Sequence, residues 1–297
     1  MKQIVTISGK GGTGKTILTA AFSAIAKNHV MADCDVDAAD LHLLLSPDIK
    51  ERHLFQSGLM PKLDRERCSE CRQCVDHCRF HAIRDDLSLD PLACEGCRFC
   101  EYVCPMQAIS MEKKNTGEWY LSETRFGPLI HARLGAGEEN SGKLVSLVRK
   151  EAKETALKQG ADWVLIDGSP GIGCPVIASL SDVDYAVVVI EPSLSGLHDA
   201  GRVIEVAKHF GVKSLVVINK YDLHQGLTTE IERFCGNRKI PVLGKIPFDK
   251  AVVEMMGQAK TIMETGKSEA KTAIIEIWNR LGKMIHSSGI KQSNANA

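Results

Sequence analysis

The chain has 297 residues, 44% of them hydrophobic, enough to bury a substantial core and to hold a small domain beside a large one. Thirty-seven basic residues balance thirty-seven acidic ones, so the global charge excess of a nucleic-acid or membrane-surface binder is missing, and neither partner is expected. No signal-peptide pattern opens the chain and no apolar run approaches the roughly 18 residues of a bilayer span. The expected location is therefore the cytoplasm, where eleven cysteines point to metal or redox chemistry rather than disulfides.

In chain order, an apolar strand at 3–7 is followed by a glycine-rich loop, a helix-compatible stretch at 16–27 and a second strand at 29–32. Strands at 162–166, 185–190, 214–218 and 241–246 then alternate with helical stretches at 142–159, 197–210 and 226–236. This alternation predicts an α/β domain, doubly wound around a mainly parallel sheet. The rhythm stops near 62 and returns after about 140. Between lie two cysteine runs and MEKKNTGEWYLSE, which reads as a hairpin turning at Asn115, Thr116 and Gly117. HSSGIKQSNANA, 286–297, is polar and aperiodic and reads as a disordered tail. The expected boundaries are 1–62 and 113–285 for the α/β domain, with 63–112 as an insert.

The loop SGKGGTGKT matches G-x-x-x-x-G-K-[ST] through Gly9, Gly14, Lys15 and Thr16, between a strand and a helix. The backbone of Gly9, Gly11, Gly12, Thr13 and Gly14 can wrap phosphate oxygens at a helix N-terminus. Lys15 would meet the β/γ-phosphates of ATP or ADP, and the Thr16 hydroxyl would reach Mg²⁺.

The cysteine runs CSECRQCVDHC (68–78) and CEGCRFCEYVC (94–104) share the spacing C-x₂-C-x₂-C-x₃-C at an offset of 26, and both continue similarly, as CRFHAI and CPMQAI. This duplication resembles the bacterial two-cluster ferredoxin pattern, in which the fourth cysteine of each run crosses to the other cluster. The resemblance implies a small α+β ferredoxin-like domain with two 4Fe-4S clusters. One would be held by Cys68, Cys71, Cys74 and Cys104, the second by Cys94, Cys97, Cys100 and Cys78. Paired zinc sites are the competing reading, but they have no need of the third and fourth cysteine of each run. Arg79 stands where the pattern would place a proline, as Pro105 does in the second run.

Lys10, a second lysine in GKGGTGKT, makes the loop resemble the deviant P-loop of the MinD, ParA and nitrogenase iron protein superfamily. The resemblance implies an ATP-dependent homodimer in which Lys10 reaches phosphates bound by the partner. In VMADCDVDAADLHLLL, Asp35 aligns with the family aspartate that orients the attacking water, with Asp33 and Asp37 close enough to compete for the assignment. In WVLIDGSPGIG, Asp167 aligns with the Mg²⁺-linked aspartate and Gly171 with the glycine whose N–H senses the γ-phosphate. INKYD and GKIPFD resemble the base-contacting region, with Asn219 as its candidate.

Cys174, seven residues after Asp167, has the spacing of a cysteine that bridges subunits in the nitrogenase iron protein. The second cysteine such a bridge requires is missing from ARLGAGEENSGKL, so a transferable metal species held by two Cys174 competes with simple packing. Relatives of this class imply an ATPase, slow without a partner, that assists assembly or delivery of a metal–sulfur cofactor. A nucleotide-gated, low-potential reductase and a MinD-like positioning switch are the alternatives. The expected partner beyond a second copy is a metal-cofactor or redox acceptor protein.

Overall fold

The computed structural model describes residues 1–135, 137–138 and 141–293, with side chains as far as 285. Its elements begin with β1 (Lys2–Ile7), α1 (Lys15–Ile25), β2 (His29–Asp33), α2 (Leu41–Leu45), β3 (Asp48–Leu63), α3 (Gln73–Asp76), α4 (Phe99–Val103), β4 (Ile109–Thr124) and β5 (Gly127–Leu134). They continue with α5 (Ser141–Gln159), β6 (Trp163–Asp167), α6 (Cys174–Leu180), β7 (Tyr185–Ile190), α7 (Leu194–His209), β8 (Lys213–Asn219), α8 (Gln225–Asn237), β9 (Val242–Ile246), α9 (Lys250–Gly257) and α10 (Glu269–Ser293).

Among the described residues the strands are ordered β3-β4-β5-β2-β6-β1-β7-β8-β9. β1 pairs in parallel with β6 and β7, β2 with β5 and β6, and β8 with β7 and β9. Such strands are covered on both faces, which explains why Tyr185–Ile190 is apolar and buried throughout. The main core joins Ile4, Phe22, Met31, Leu165 and Val217 to Ile274 and Ile277 of α10.

The chain divides into two compact units. The first comprises Met1–Arg52, Tyr120–Ala132 and the residues from Ser141 onward; the second comprises His53–Trp119 and Arg133–Asn140. The second extends beyond the expected 63–112 because it takes in parts of β3, β4 and β5. Its core is small: Cys74, Ile83, Leu87 and Ile109 are buried, with Leu63, Cys68, Cys100 and Cys104 packed against them.

Two sequence expectations need correction, and one strand was not foreseen. Asn115, Thr116 and Gly117 form no hairpin turn; they lie inside β4, and the chain reverses at Arg125–Phe126. Gly117 serves close approach instead, since a Cβ there would stand 2.6 Å from the Arg133 carbonyl oxygen. The long β3 was hidden by its polar composition and by Pro61, which an edge strand tolerates because its N–H need not pair. The tail expected to be disordered from 286 is helical to Ser293, because extending an existing helix adds one hydrogen bond per residue ordered. The expectation for 294–297 lies outside the described residues.

Candidate functional site

Five neighbouring strands end at one edge of the sheet, the carboxyl edge where parallel α/β folds bind ligands. β1 runs into the glycine-rich loop, β2 ends at Asp33, β6 at Asp167 and β8 at Asn219, and Glu191 follows β7. Gly14 adopts φ +94°, where a Cβ would also stand 2.4 Å from Asn219 Nδ2, so glycine is required there twice over. α1 starts directly afterwards with no side-chain cap, which leaves its first N–H groups open to an anion.

Lys15 is buried beneath this loop and donates to Asp35 Oδ2 at 2.5 Å. Burial opposes its charge, but Asp167 and Asp35 outweigh that and hold its pKa above the ordinary value. Thr19 Oγ1 donates to Asp167 Oδ1 at 3.2 Å, while Asp167 Oδ2 is buried without a hydrogen-bond partner among the described residues and stands 3.9 Å from Lys15 Nζ. Burial pushes the Asp167 carboxyl up to about 6 against the pull of Lys15. An orphaned buried carboxylate oxygen near the Thr16 hydroxyl, which also hydrogen-bonds Asp167, suits a hydrated divalent cation.

The three neighbouring aspartates have separate positions. Asp33 is fully buried, pairs in register with Asp167, and accepts from the backbone N–H groups of Asp35 and Leu41 at 3.1 and 3.3 Å. Burial and then Asp167 raise its pKa well above the carboxylate range. Asp37 is exposed, and Asp35 is the one that meets Lys15.

Lys10 is engaged within its own chain. Its ammonium lies 2.5 Å from Glu191 Oε1 and donates to Ser193 and Ser195 hydroxyls at 3.1 and 3.3 Å. Burial opposes the Glu191 charge, but Lys10 and Lys220 together hold its pKa below the ordinary value. The Gly171 N–H donates to the Ser8 carbonyl at 3.0 Å. Asn219 braces the loop, its Nδ2 donating to the Thr13 carbonyl at 2.8 Å and its Oδ1 accepting from the Lys220 N–H. Asn219, Lys220, Pro247 and Phe248 line a cavity of about 220 Å³ with Gly12 and Gly14, which unites both segments expected near a base.

Glu191, Thr19, Ser193 and Ser195 belong to this site and were missed by sequence reasoning. A small polar residue at a strand end or in a helix carries no motif, and neither does an isolated acid such as Glu191. Cys174 is exposed at the first residue of α6, where Gly142 lies close to its Cβ.

In the second unit the duplication extends to the backbone. Glu70 and Gly96, Arg72 and Arg98, and His81 and Gln107 are three pairs separated by the same offset, and all six have positive φ. The fourth cysteines also behave alike: Cys78 Sγ accepts from the Ala82 N–H and Cys104 Sγ from the Ala108 N–H, both at 3.3 Å. Cys78, Cys94, Cys97 and Cys100 line one cavity of about 380 Å³, while Cys68, Cys74 and Cys104 pack on the small core. Burial raises the Cys74 thiol, with Cys104 and Cys68 adding to the effect, and pushes Cys100 up to about 11. Among the described residues, no group of three or more His, Cys, Asp or Glu is placed to hold a single metal ion. Thiolates spread around a cavity and receiving backbone N–H groups fit a polynuclear cluster, in which each sulfur binds its own iron.

Fold and loop together define a P-loop ATPase of the MinD/ParA type. The chain belongs to the CobQ/CobB/MinD/ParA nucleotide-binding family, whose model matches residues 4–262. It is 33% identical over 287 residues to an uncharacterised protein of Methanocaldococcus jannaschii, covering 95% of this chain and 97% of that one. It is 24% identical over 301 residues to the septum site-determining protein MinD of Bacillus subtilis, covering 98% and 93%. Its fold is similar to that of MinD complexed with Mg-ADP from Pyrococcus horikoshii, with a TM-score of 0.60 at 19% identity over 96% of this chain and 98% of that one. Among the described residues no helix is long and apolar enough to cross a membrane.

Proposed function

We propose that this ATPase is a homodimeric switch coupled to two 4Fe-4S clusters, and that it assists assembly or delivery of a metal–sulfur cofactor. The observation that carries the cluster reading is the cavity lined by Cys78, Cys94, Cys97 and Cys100, a set that takes its fourth cysteine from the other run. When bound, the clusters would supply one-electron storage and a source of iron and sulfide.

In the nucleotide site, the α1 N-terminus and Lys15 bind the phosphates of ATP or ADP. Thr16 and Asp167 hold Mg²⁺, and Asp35 orients water once phosphate draws Lys15 away from it. The Gly12–Asn219–Phe248 cavity takes the base. Two contacts must open before catalysis: Lys10 leaves Glu191 to reach a partner's phosphates, and the Gly171 N–H leaves Ser8 to meet the γ-phosphate. Since β3 and β4 each include residues of both units, chain continuity offers a path from nucleotide state to the cysteines.

The test is iron and sulfide analysis with EPR on anaerobically purified, reduced protein, with and without Mg²⁺ and a non-hydrolysable ATP analogue. Two clusters whose signal moves with nucleotide are expected, and clusters indifferent to nucleotide would remove the coupling. Transfer of iron to an apo-acceptor separates delivery from the second reading, a gated reductase, which the exposed Phe80 and Phe99 beside the cavity favour as a docking rim. Binding to liposomes with ATP would favour a positioning role, as the likeness to MinD proteins invites.

A further inference from the structure

Alignment of the two cysteine runs by their offset isolates one arginine that lines a cysteine cavity without a counter-ion. Each run carries one exposed acid between its first two cysteines, Glu70 in the first and Glu95 in the second. Each also carries an arginine ahead of its third cysteine, and both are neutralised: Arg72 by Asp85, and Arg98 by Glu101 at 2.8 Å. These contributions cancel between the runs. The charges left over flank the fourth cysteine of the first run: Asp76, opposite Tyr102, is exposed and is not part of the cavity lining, whereas Arg79, opposite Pro105, is. Arg79 has no ion pair or hydrogen bond among the described residues, and it lines the cavity of Cys78, Cys94, Cys97 and Cys100.

Both sets have apolar neighbours: Cys68, Cys74, Cys100 and Cys104 belong with Ile83, Leu87 and Ile109, and the cavity of the second set is lined by Pro61, Phe80, Ile83, Phe99 and Met111, so the guanidinium is the difference between them. Adding an electron makes a cluster more negative. An apolar shell opposes that change, and an unpaired guanidinium favours it.

We infer that Arg79 makes the two sites inequivalent, giving the cluster held by Cys78, Cys94, Cys97 and Cys100 the higher reduction potential, so that it is reduced first. This rests on the cluster reading above. In that reduction, an external one-electron donor is oxidised, the cluster beside Arg79 gains that electron, and no bond or proton need move. The cluster of Cys68, Cys71, Cys74 and Cys104 is reduced second, at lower potential.

The experiment is an anaerobic redox titration of the full-length holoprotein followed by EPR, with iron and sulfide counted in every sample. The wild type is expected to show two separate one-electron steps. Arg79→Gln and Arg79→Pro should lower the higher step and narrow the gap, while Arg79→Lys keeps it. The mirror variant Pro105→Arg should raise the lower step, and the double exchange, Arg79→Pro with Pro105→Arg, should bring each step toward the other's position. Full iron content with both steps unmoved in Arg79→Gln, or with the lower step alone displaced, overturns the role of Arg79. Wild-type protein that takes up no iron and sulfide on reconstitution overturns the cluster reading itself.

Discussion

The nucleotide site gathers Lys15 from the start of α1 and Asp33, Asp167, Glu191 and Asn219 from the ends of strands, spread over two hundred residues, whereas the cysteine unit takes its eight sulfurs from two runs of eleven. The first is assembled by the sheet and stands on a large core. The second depends on local turns repeated at a fixed offset, and the apolar cluster against which its cysteines pack is small. A core of that size supplies little stability, which is why small units so often rely on a bound metal. The contrast teaches where each site is vulnerable: the nucleotide site to the loss of one charge, the cysteine unit to the loss of one ligand.

The largest effect should come from Lys15→Ala. It removes the ammonium proposed to meet the phosphates and leaves Asp35 and Asp167 buried without their counter-ion. ATP turnover should fall by about 10²–10³-fold or more, with loss of nucleotide-dependent dimerisation and about 3–5 kcal/mol of stability without nucleotide. Normal turnover would break the assignment of the loop.

If the proposed clusters are present, Cys100→Ser should halve the iron content, to roughly four atoms per chain, since one of two four-iron clusters would lose a ligand. ATP binding should persist because the first unit has its own core. If nucleotide binding collapses along with the iron, the two regions are not separable as described.

Lys10→Ala addresses the link between copies. Removal of one charge-assisted contact, about 1.5–3 kcal/mol, predicts a roughly 10- to 100-fold loss of turnover with binding to the single chain retained. Sedimentation with and without an ATP analogue checks the accompanying loss of dimer.

The smallest effect is pH-dependent and confined to the first unit. Burial lowers His29 and His131 from 6.5 to about 4, with His42 adding to the effect at His131. Unfolding lets each take up a proton between those values, so the stability they contribute is full above pH 6.5 and declines as pH falls toward 4. Asp167, pushed up to about 6, acts in the opposite sense, because its folded form binds a proton first. The decisive quantity is therefore the difference between wild type and His131→Gln. The variant should lose less stability between pH 7 and 5 by denaturant titration, read from the Trp163–Trp278 pair.

Much of this was readable before any coordinates. The alternation of apolar strands and helices announced the parallel sheet, because strands covered on both faces must be apolar throughout. The edge was not: β3 is polar and contains a proline, and the Asn115–Gly117 turn signal proved to mark close backbone approach inside a strand. At the nucleotide site, residues carrying a motif were visible, while Glu191, Thr19 and the brace from Asn219 to Thr13 were not. Their contacts depend on which strand ends become neighbours.

The local chemistry was determined by sequence alone: a glycine-rich turn ahead of a helix, and two sets of closely spaced thiols, each dictated by residues within a dozen positions of one another. Tertiary structure decided the long-range assignments. It put Asp35 rather than Asp33 or Asp37 on Lys15, held Lys10 on Glu191, and placed Cys78 in the cavity of the other run. The physical reason is that backbone conformation follows from neighbours in the chain, whereas the pairing of buried charges and sulfurs follows from strand order and register, which bring together residues that local sequence keeps apart.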